Sequence, residues 1–156
     1  MKKRFGEERE DVMKHEVLKA YPKLELHCHL DGSLSPEFIR QRLGRNIPIS
    51  ELQVDENCRN LAEYLEKFEI PLRCLQDREG LLGAGYDFLK NVAKENVKYV
   101  EVRFAPLLSM KQGMTVSQIL EALLDGLKKG REEFGVEYNV IVCAMRHHSE
   151  EENRRM

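Results

Sequence analysis

The sequence has no polybasic stretch, no long apolar run, no Cys-x-x-Cys and no glycine-rich phosphate loop, and each absence closes off a class of function. Its 25 basic and 27 acidic residues are well mixed and leave a formal charge of -2. The chain therefore lacks the cationic footprint that nucleic acid or an anionic membrane surface selects. Met1 to Asp11 is charged throughout, without the apolar core of a secretory signal, and no later stretch is long enough to span a bilayer. A cytoplasmic location is the expectation. Cys28, Cys58, Cys74 and Cys143 stand apart, and two fall inside strand-like runs, so reduced, mostly buried thiols are expected rather than a disulfide or a cysteine-ligated zinc. The same spacing argues against zinc deaminases that use cysteine ligands on flipped bases. Gly80, Gly83 and Gly85 precede or lie within a helical pattern instead of following a strand, which disfavours a nucleotide fingerprint. What remains is a globular chain of 156 residues, 42% hydrophobic and 33% charged, long enough for one domain and suited to small-molecule or protein partners.

The stretch Leu24-Glu25-Leu26-His27-Cys28-His29-Leu30-Asp31-Gly32 organises the rest. At a period of two, Leu24, Leu26, Cys28 and Leu30 share one face and Glu25, His27, His29 and Asp31 the other, the alternation of a strand. Helices are expected to cover the apolar face, leaving the ionisable row to look into solvent or into a polar cavity. A His-x-His pair on a wet strand face can simply be solvated. It can also bring two imidazoles to one metal ion. The unbroken row of ionisable residues favours the second reading, because burying such a row without partners costs several kcal/mol per group. Gly32 lets the chain turn away tightly.

Along the chain, residues 7 to 20 read as a charged, weakly amphipathic helix ended by Tyr21-Pro22. Ser35-Pro36-Glu37 caps a short helix through Phe38, Ile39 and Leu43 that Gly44 terminates. Arg45 to Asn57 has no period and is expected to be loop. Leu61, Tyr64, Leu65 and Phe68 recur at helical spacing before Pro71, a stripe that is ordinarily core and could instead lie over the end of the first strand as a lid. Leu81 to Glu95 reads as a longer helix with Leu82, Tyr86, Leu89 and Val92 or Ala93 buried. Lys98 to Ala105 is a second strand whose Glu101 and Arg103 are expected to form a half-buried ion pair. Thr115-Val116-Ser117-Gln118 has capping-box form and opens a strong helical stripe running toward Gly130 or Gly135. Tyr138 to Arg146 is a third strand, and Ser149 onward looks like the first turns of a further helix. Strands alternating with helices predict an α/β fold with a parallel sheet, whose function gathers at the strands' C-terminal ends near His29, Asp31, Pro106, Met145 and Arg146.

Three segments carry a family resemblance: Lys23 to Leu34, Tyr99-Val100-Glu101-Val102-Arg103-Phe104-Ala105-Pro106, and Cys143-Ala144-Met145-Arg146-His147. In order and spacing they resemble the first three barrel strands of adenosine deaminases, from about Tyr21 to the last residue. The resemblance implies a partial (β/α)8 TIM barrel over 21–156, preceded by the charged helix of 1–20. It also implies zinc-dependent hydrolytic deamination of adenosine or deoxyadenosine to the inosine product and ammonia. By resemblance, His27 and His29 are two zinc ligands, His29 also borders the substrate, and Asp31 holds the ribose 5'-hydroxyl. Leu61, Tyr64, Leu65 and Phe68 become the hydrophobic lid over the base, and Met145 lines the pocket. Asp31-Gly32-Ser33 looks more like the nucleoside enzymes than like relatives acting on free adenine, which tend to carry Glu-Gly there.

The departure from the family is large. Its third histidine ligand, the glutamate that protonates the purine, the histidine that orients hydroxide and the final metal-shell aspartate have no counterpart here, and His147 and His148 match no ligand position. A catalytic zinc needs three protein ligands and such a barrel about 250 residues, so weak zinc binding and an inactive isolated chain are expected. Two other readings stay open: a non-catalytic binding or assembly module that associates through an exposed strand edge, and another metal-dependent amidohydrolase such as an adenine deaminase.

Overall fold

The computed structural model describes residues 16–154. Its frame is one sheet of three parallel strands in the order β1 (Lys23–His29), β2 (Val97–Phe104), β3 (Glu137–Val142). Parallel neighbours need long crossovers, and here helices supply them. Between β1 and β2 run α2 (Pro36–Leu43), α3 (Ile49–Leu52), α4 (Leu61–Glu66), α5 (Glu69–Arg73) and the long α6 (Arg78–Lys94). Between β2 and β3 come a 3-10 turn at Pro106–Ser109 and α7 (Val116–Phe134), and α8 (Glu150–Asn153) follows β3. A helical segment at 16–20, α1, precedes β1; the rest of the helix expected over 7–20 lies outside the described residues.

Two helices, α2 and α7, begin at the caps expected of them, for local reasons. Ser35 Oγ accepts the Phe38 N–H at 3.0 Å, Pro36 occupies the first turn, and Gly44 closes α2 at φ 64. Thr115 and Gln118 close a reciprocal box on α7, which ends at Gly135 with φ 66. One cap was not anticipated. Asp77 accepts the Gly80 N–H at 2.7 Å to start α6 and takes the Arg42 guanidinium at 2.6 Å, tying α2 to α6.

The core is built around β2. Val100 and Val102 are fully buried, with Leu81, Ala84, Phe88 and Leu89 of α6 and Ile119, Ala122, Leu123 and Leu127 of α7. The buried side of α6 is therefore rotated from the expected one: Leu82 and Tyr86 are only half-buried. The cause is a close backbone crossing of α6 on α7. A Cβ at Gly126 would stand 2.0 Å from the Leu82 carbonyl oxygen, and one at Gly85 2.8 Å from that of Leu123. Glycines occupy the seam, Leu81, Ala84 and Phe88 fill the core, and the Tyr86 hydroxyl reaches out to Glu133 at 2.8 Å.

Five further expectations are corrected. Leu24 and Leu26 are 69% and 55% exposed: a register shift between Glu25 and Cys28 sets those two residues against the buried Val100 and Val102 and Leu24 against Tyr99, so the expected period-two face of β1 is broken. Glu101 and Arg103 do not pair: Glu101 accepts the Tyr99 hydroxyl at 3.1 Å, and Arg103 donates to the Leu26 carbonyl at 3.3 Å. Two residues apart on one strand face they point the same way, and each finds a nearer partner. Pro71 does not end a helix. It sits buried in the first turn of α5, where its missing N–H would have had no partner in any case. The loop of 45–57 contains the one-turn α3, and β3 stops at Val142, leaving Cys143 to His148 irregular.

Candidate active site

A cavity of about 590 Å³ opens at the C-terminal ends of the three strands. In parallel α/β sheets this is the end where loops gather and chemistry is placed. β1 contributes His27, Cys28 and His29, and the turn after it Asp31, Gly32 and Ser33. β2 and its exit supply Phe104, Ala105 and Leu108; the stretch after β3 supplies Cys143, Met145 and His147. Tyr64 and Leu65 of α4, with Phe68 and Leu72, form the remaining wall.

The strand pleat sends His27 and His29 to the same side, with ring centres 5.5 Å apart and planes inclined by 31°. Two imidazoles on one tetrahedral zinc, with Zn–N near 2.0–2.1 Å, hold their ring centres roughly 5 Å apart. The pair thus fits two corners of such a site. Among the described residues no group of three or more His, Cys, Asp or Glu could hold a metal, so the other corners are not filled from 16–154.

Asp31 stands just past the strand on the cavity wall. Burial pushes its carboxyl above the ordinary value, against its own backbone N–H, the His29 imidazole and the Gly32 N–H, which pull it down. Its Oδ1 is buried with no hydrogen-bond partner. A buried carboxylate oxygen left unbonded is costly. Gly32 allows the Phe68 ring to approach: a Cβ there would meet it at 3.3 Å. A second cavity of about 310 Å³ lies on the other side of Asp31, between α2, α3 and α4.

The apolar stripe behaves unevenly. Tyr64, Leu65 and Phe68 line the main cavity, while Leu61 is 69% exposed and does not. Asn60 caps α4 by accepting the Glu63 N–H at 3.0 Å, and Lys67 Nζ donates to the Ser50 carbonyl at 2.9 Å. So the stripe is not core: α4 buries no residue.

Three supports escaped the sequence reading. His147 lines the cavity, its ring edge-on to His148 at 4.5 Å between centres, although it matches no ligand position. Asn153 holds the segment that carries it, accepting the Met145 N–H at 3.0 Å and donating to the Met145 and His148 carbonyls at 3.0 and 3.3 Å. Gln76, buried, donates to the Leu72 and Leu108 carbonyls at 2.6 and 3.0 Å and accepts the Lys111 N–H at 3.2 Å. It thereby fixes two walls of the cavity to each other. An amide directly after the apolar pair Cys74-Leu75 is the one signal that could have revealed it.

Residues 22–156 match the family model described as adenosine deaminase. The chain belongs to the adenosine deaminase family. It is 42% identical over 144 residues to an adenosine deaminase of Enterococcus faecalis, covering 86% of this chain and 43% of that protein. Its fold matches a zinc-bound amidohydrolase from Burkholderia ambifaria with TM-score 0.72 at 21% identity, over 88% of this chain and 40% of that one. An adenine deaminase from Arthrobacter aurescens matches with TM-score 0.70 at 23% identity, over 85% and 42% of the two chains. The chain spans about two fifths of the length of the curated relatives it matches. Its three strands are thus part of the family's TIM-barrel fold.

Proposed function

We propose that this chain carries the first half of a zinc-dependent site that deaminates adenosine or deoxyadenosine, water replacing the amino group to give inosine or deoxyinosine and ammonia. The observation that carries the reading is the pairing of His27 and His29 at ligand spacing on the wall of a cavity at the strands' C-terminal ends. His27 and His29 would hold the zinc, each through one ring nitrogen. Zinc bound there supplies water activation near neutral pH.

The remaining residues bind and orient. Asp31 Oδ1, unbonded in its buried position, accepts the ribose 5'-hydroxyl. Tyr64, Leu65 and Phe68 cover the base and exclude water, and Met145 lines the pocket from the β3 side. Dry walls strengthen each polar contact inside them. The third protein ligand and the proton donor to the purine lie outside residues 16–154, so the isolated chain is expected to bind zinc weakly and to turn over no adenosine.

The test is a chimera in which residues 22–156 replace the matched segment of the E. faecalis relative. Adenosine and free adenine are offered separately. Conversion of adenosine, reduced at least 1,000-fold by His27→Ala or His29→Ala, supports the reading; a loss of this order is what removing a group that organises the reacting water costs. A folded chimera that leaves adenosine intact contradicts it. One that deaminates only adenine moves the assignment to the free base.

A further inference from the structure

We propose that Glu25 and Arg103 are positioning residues, a two-sided clamp on the Leu26–His27 peptide that turns His27 and His29 toward the cavity. β1 carries one residue too many for its partner strand. Glu25 pairs with Val100 and Cys28 with Val102, so β1 takes three steps where β2 takes two, which is a bulge. Continued from Glu25 without the extra residue, the pairing would set His27 against Val102 and His29 against Phe104, both of them buried. Both imidazoles would then enter the helix-covered layer. With the extra residue, Cys28 takes the place against Val102, and His29 stands against Arg103 on the other face. The direction of the histidine pair thus depends on one local irregularity.

A bulge disrupts the ladder locally, and the backbone groups it frees need other partners. The Leu26 carbonyl and the His27 N–H are the two ends of one peptide, and a side chain meets each. Glu25 accepts the His27 N–H at 2.9 Å, and Arg103 reaches across from β2 to donate to the Leu26 carbonyl at 3.3 Å. Held from both ends, this peptide sets the direction of the two rings that follow it, 5.5 Å apart. Glu25 and Arg103 therefore act on a metal through the backbone of its ligands. The effect on metal binding rests on the zinc reading above; the effect on the bulge does not. A role through charge makes the opposite predictions. The Arg103 cation repels a divalent ion and the Glu25 carboxylate attracts one, so by charge alone R103M would tighten binding and E25Q would weaken it. A clamp is weakened by R103M, whereas E25Q keeps an oxygen that can accept the His27 N–H.

The experiment measures cobalt(II) affinity and backbone amide exchange on the intact chain and on E25A, E25Q and R103M. The expected result is cobalt binding weakened about ten-fold or more in E25A and R103M, and by less than about three-fold in E25Q. In E25A the His27 amide is expected to exchange about ten-fold faster or more while the Val102 amide changes less than about two-fold, which separates a loosened bulge from a loss of fold. A His27 amide that exchanges as before in E25A, or that speeds up together with Val102, overturns the proposal. Equal weakening by E25Q and E25A, or unchanged or tighter binding by R103M, overturns it as well. If the unsubstituted chain binds no cobalt, the zinc reading fails, and the His27 amide alone decides the clamp.

Discussion

Val100 and Val102 on β2 are fully buried, while Leu24 and Leu26, which alternate in the same way along the sequence of β1, are more than half exposed. The two strands carry the same sequence pattern, but a register shift between Glu25 and Cys28 sets those two residues against Val100 and Val102 and leaves Leu24 against Tyr99. β2 has α6 and α7 crossing above it at glycine-to-backbone distance, a packed layer complete within this chain. β1 has cover only toward its C-terminal end, where Leu30 is fully buried. Period-two alternation reports which face of a strand is apolar only while the register holds, and one extra residue in β1 is enough to break it. The contrast divides the molecule into a self-sufficient outer layer and an unfinished rim, and the site lies on the rim.

Four substitutions test that division, in order of expected size. Phe88→Ala empties the centre of the packed layer and is expected to cost about 3–5 kcal/mol, read from urea unfolding. A cost below about 1 kcal/mol would mean that α6 is not the core element. Gln76→Leu removes a buried amide that joins Leu72, Leu108 and Lys111, leaving their polar atoms unmet, for a loss of roughly 2 kcal/mol by the same measurement. No change would place Gln76 in contact with water.

Cys74 gives a pH-dependent test of the same layer. Burial pushes its thiol up to about 11, from an ordinary 9.0. The neutral thiol is therefore favoured by folding. Its contribution is complete below pH 9, where the unfolded thiol is also protonated, and is lost as pH rises through the folded value. Thermal unfolding from pH 8 to 11 should show roughly 1–2 kcal/mol of alkaline destabilisation that Cys74→Ala lacks. Identical slopes would show that Cys74 is not buried in solution. Smallest of all, Leu24→Ala on the rim is expected to change stability by less than about 0.5 kcal/mol. A loss above about 2 kcal/mol would show that β1 is covered after all.

Much of the fold was legible because its signals are local. Ser35-Pro36, Thr115 with Gln118, and Gly44 act within one turn of chain and stand where expected, and Gly135 is the one of two expected glycines that ends α7. The parallel order followed from alternation of strand and helix patterns. What escaped depends on contacts distant in sequence. The rotated face of α6 comes from Gly126, some forty residues on, and Asp77 caps α6 while holding Arg42 from α2. Glu101 and Arg103 were paired by proximity alone, whereas Tyr99 and the Leu26 carbonyl were nearer in space. In the site, the strand pleat sufficed to bring His27 and His29 together. His147 escaped because it reaches the cavity through an irregular segment that Asn153, distant from the sheet pattern, helps hold in place.

The central claim is that His27 and His29 form one half of a zinc site, and cobalt titration of the intact chain tests it most directly, since cobalt takes the same ligands and its visible spectrum reports their number and geometry. The account predicts weak binding of one ion per chain, lost on substituting either His27 or His29 with alanine and unchanged by His147→Ala or His148→Ala. Cobalt binding that survives the loss of both His27 and His29 would contradict it.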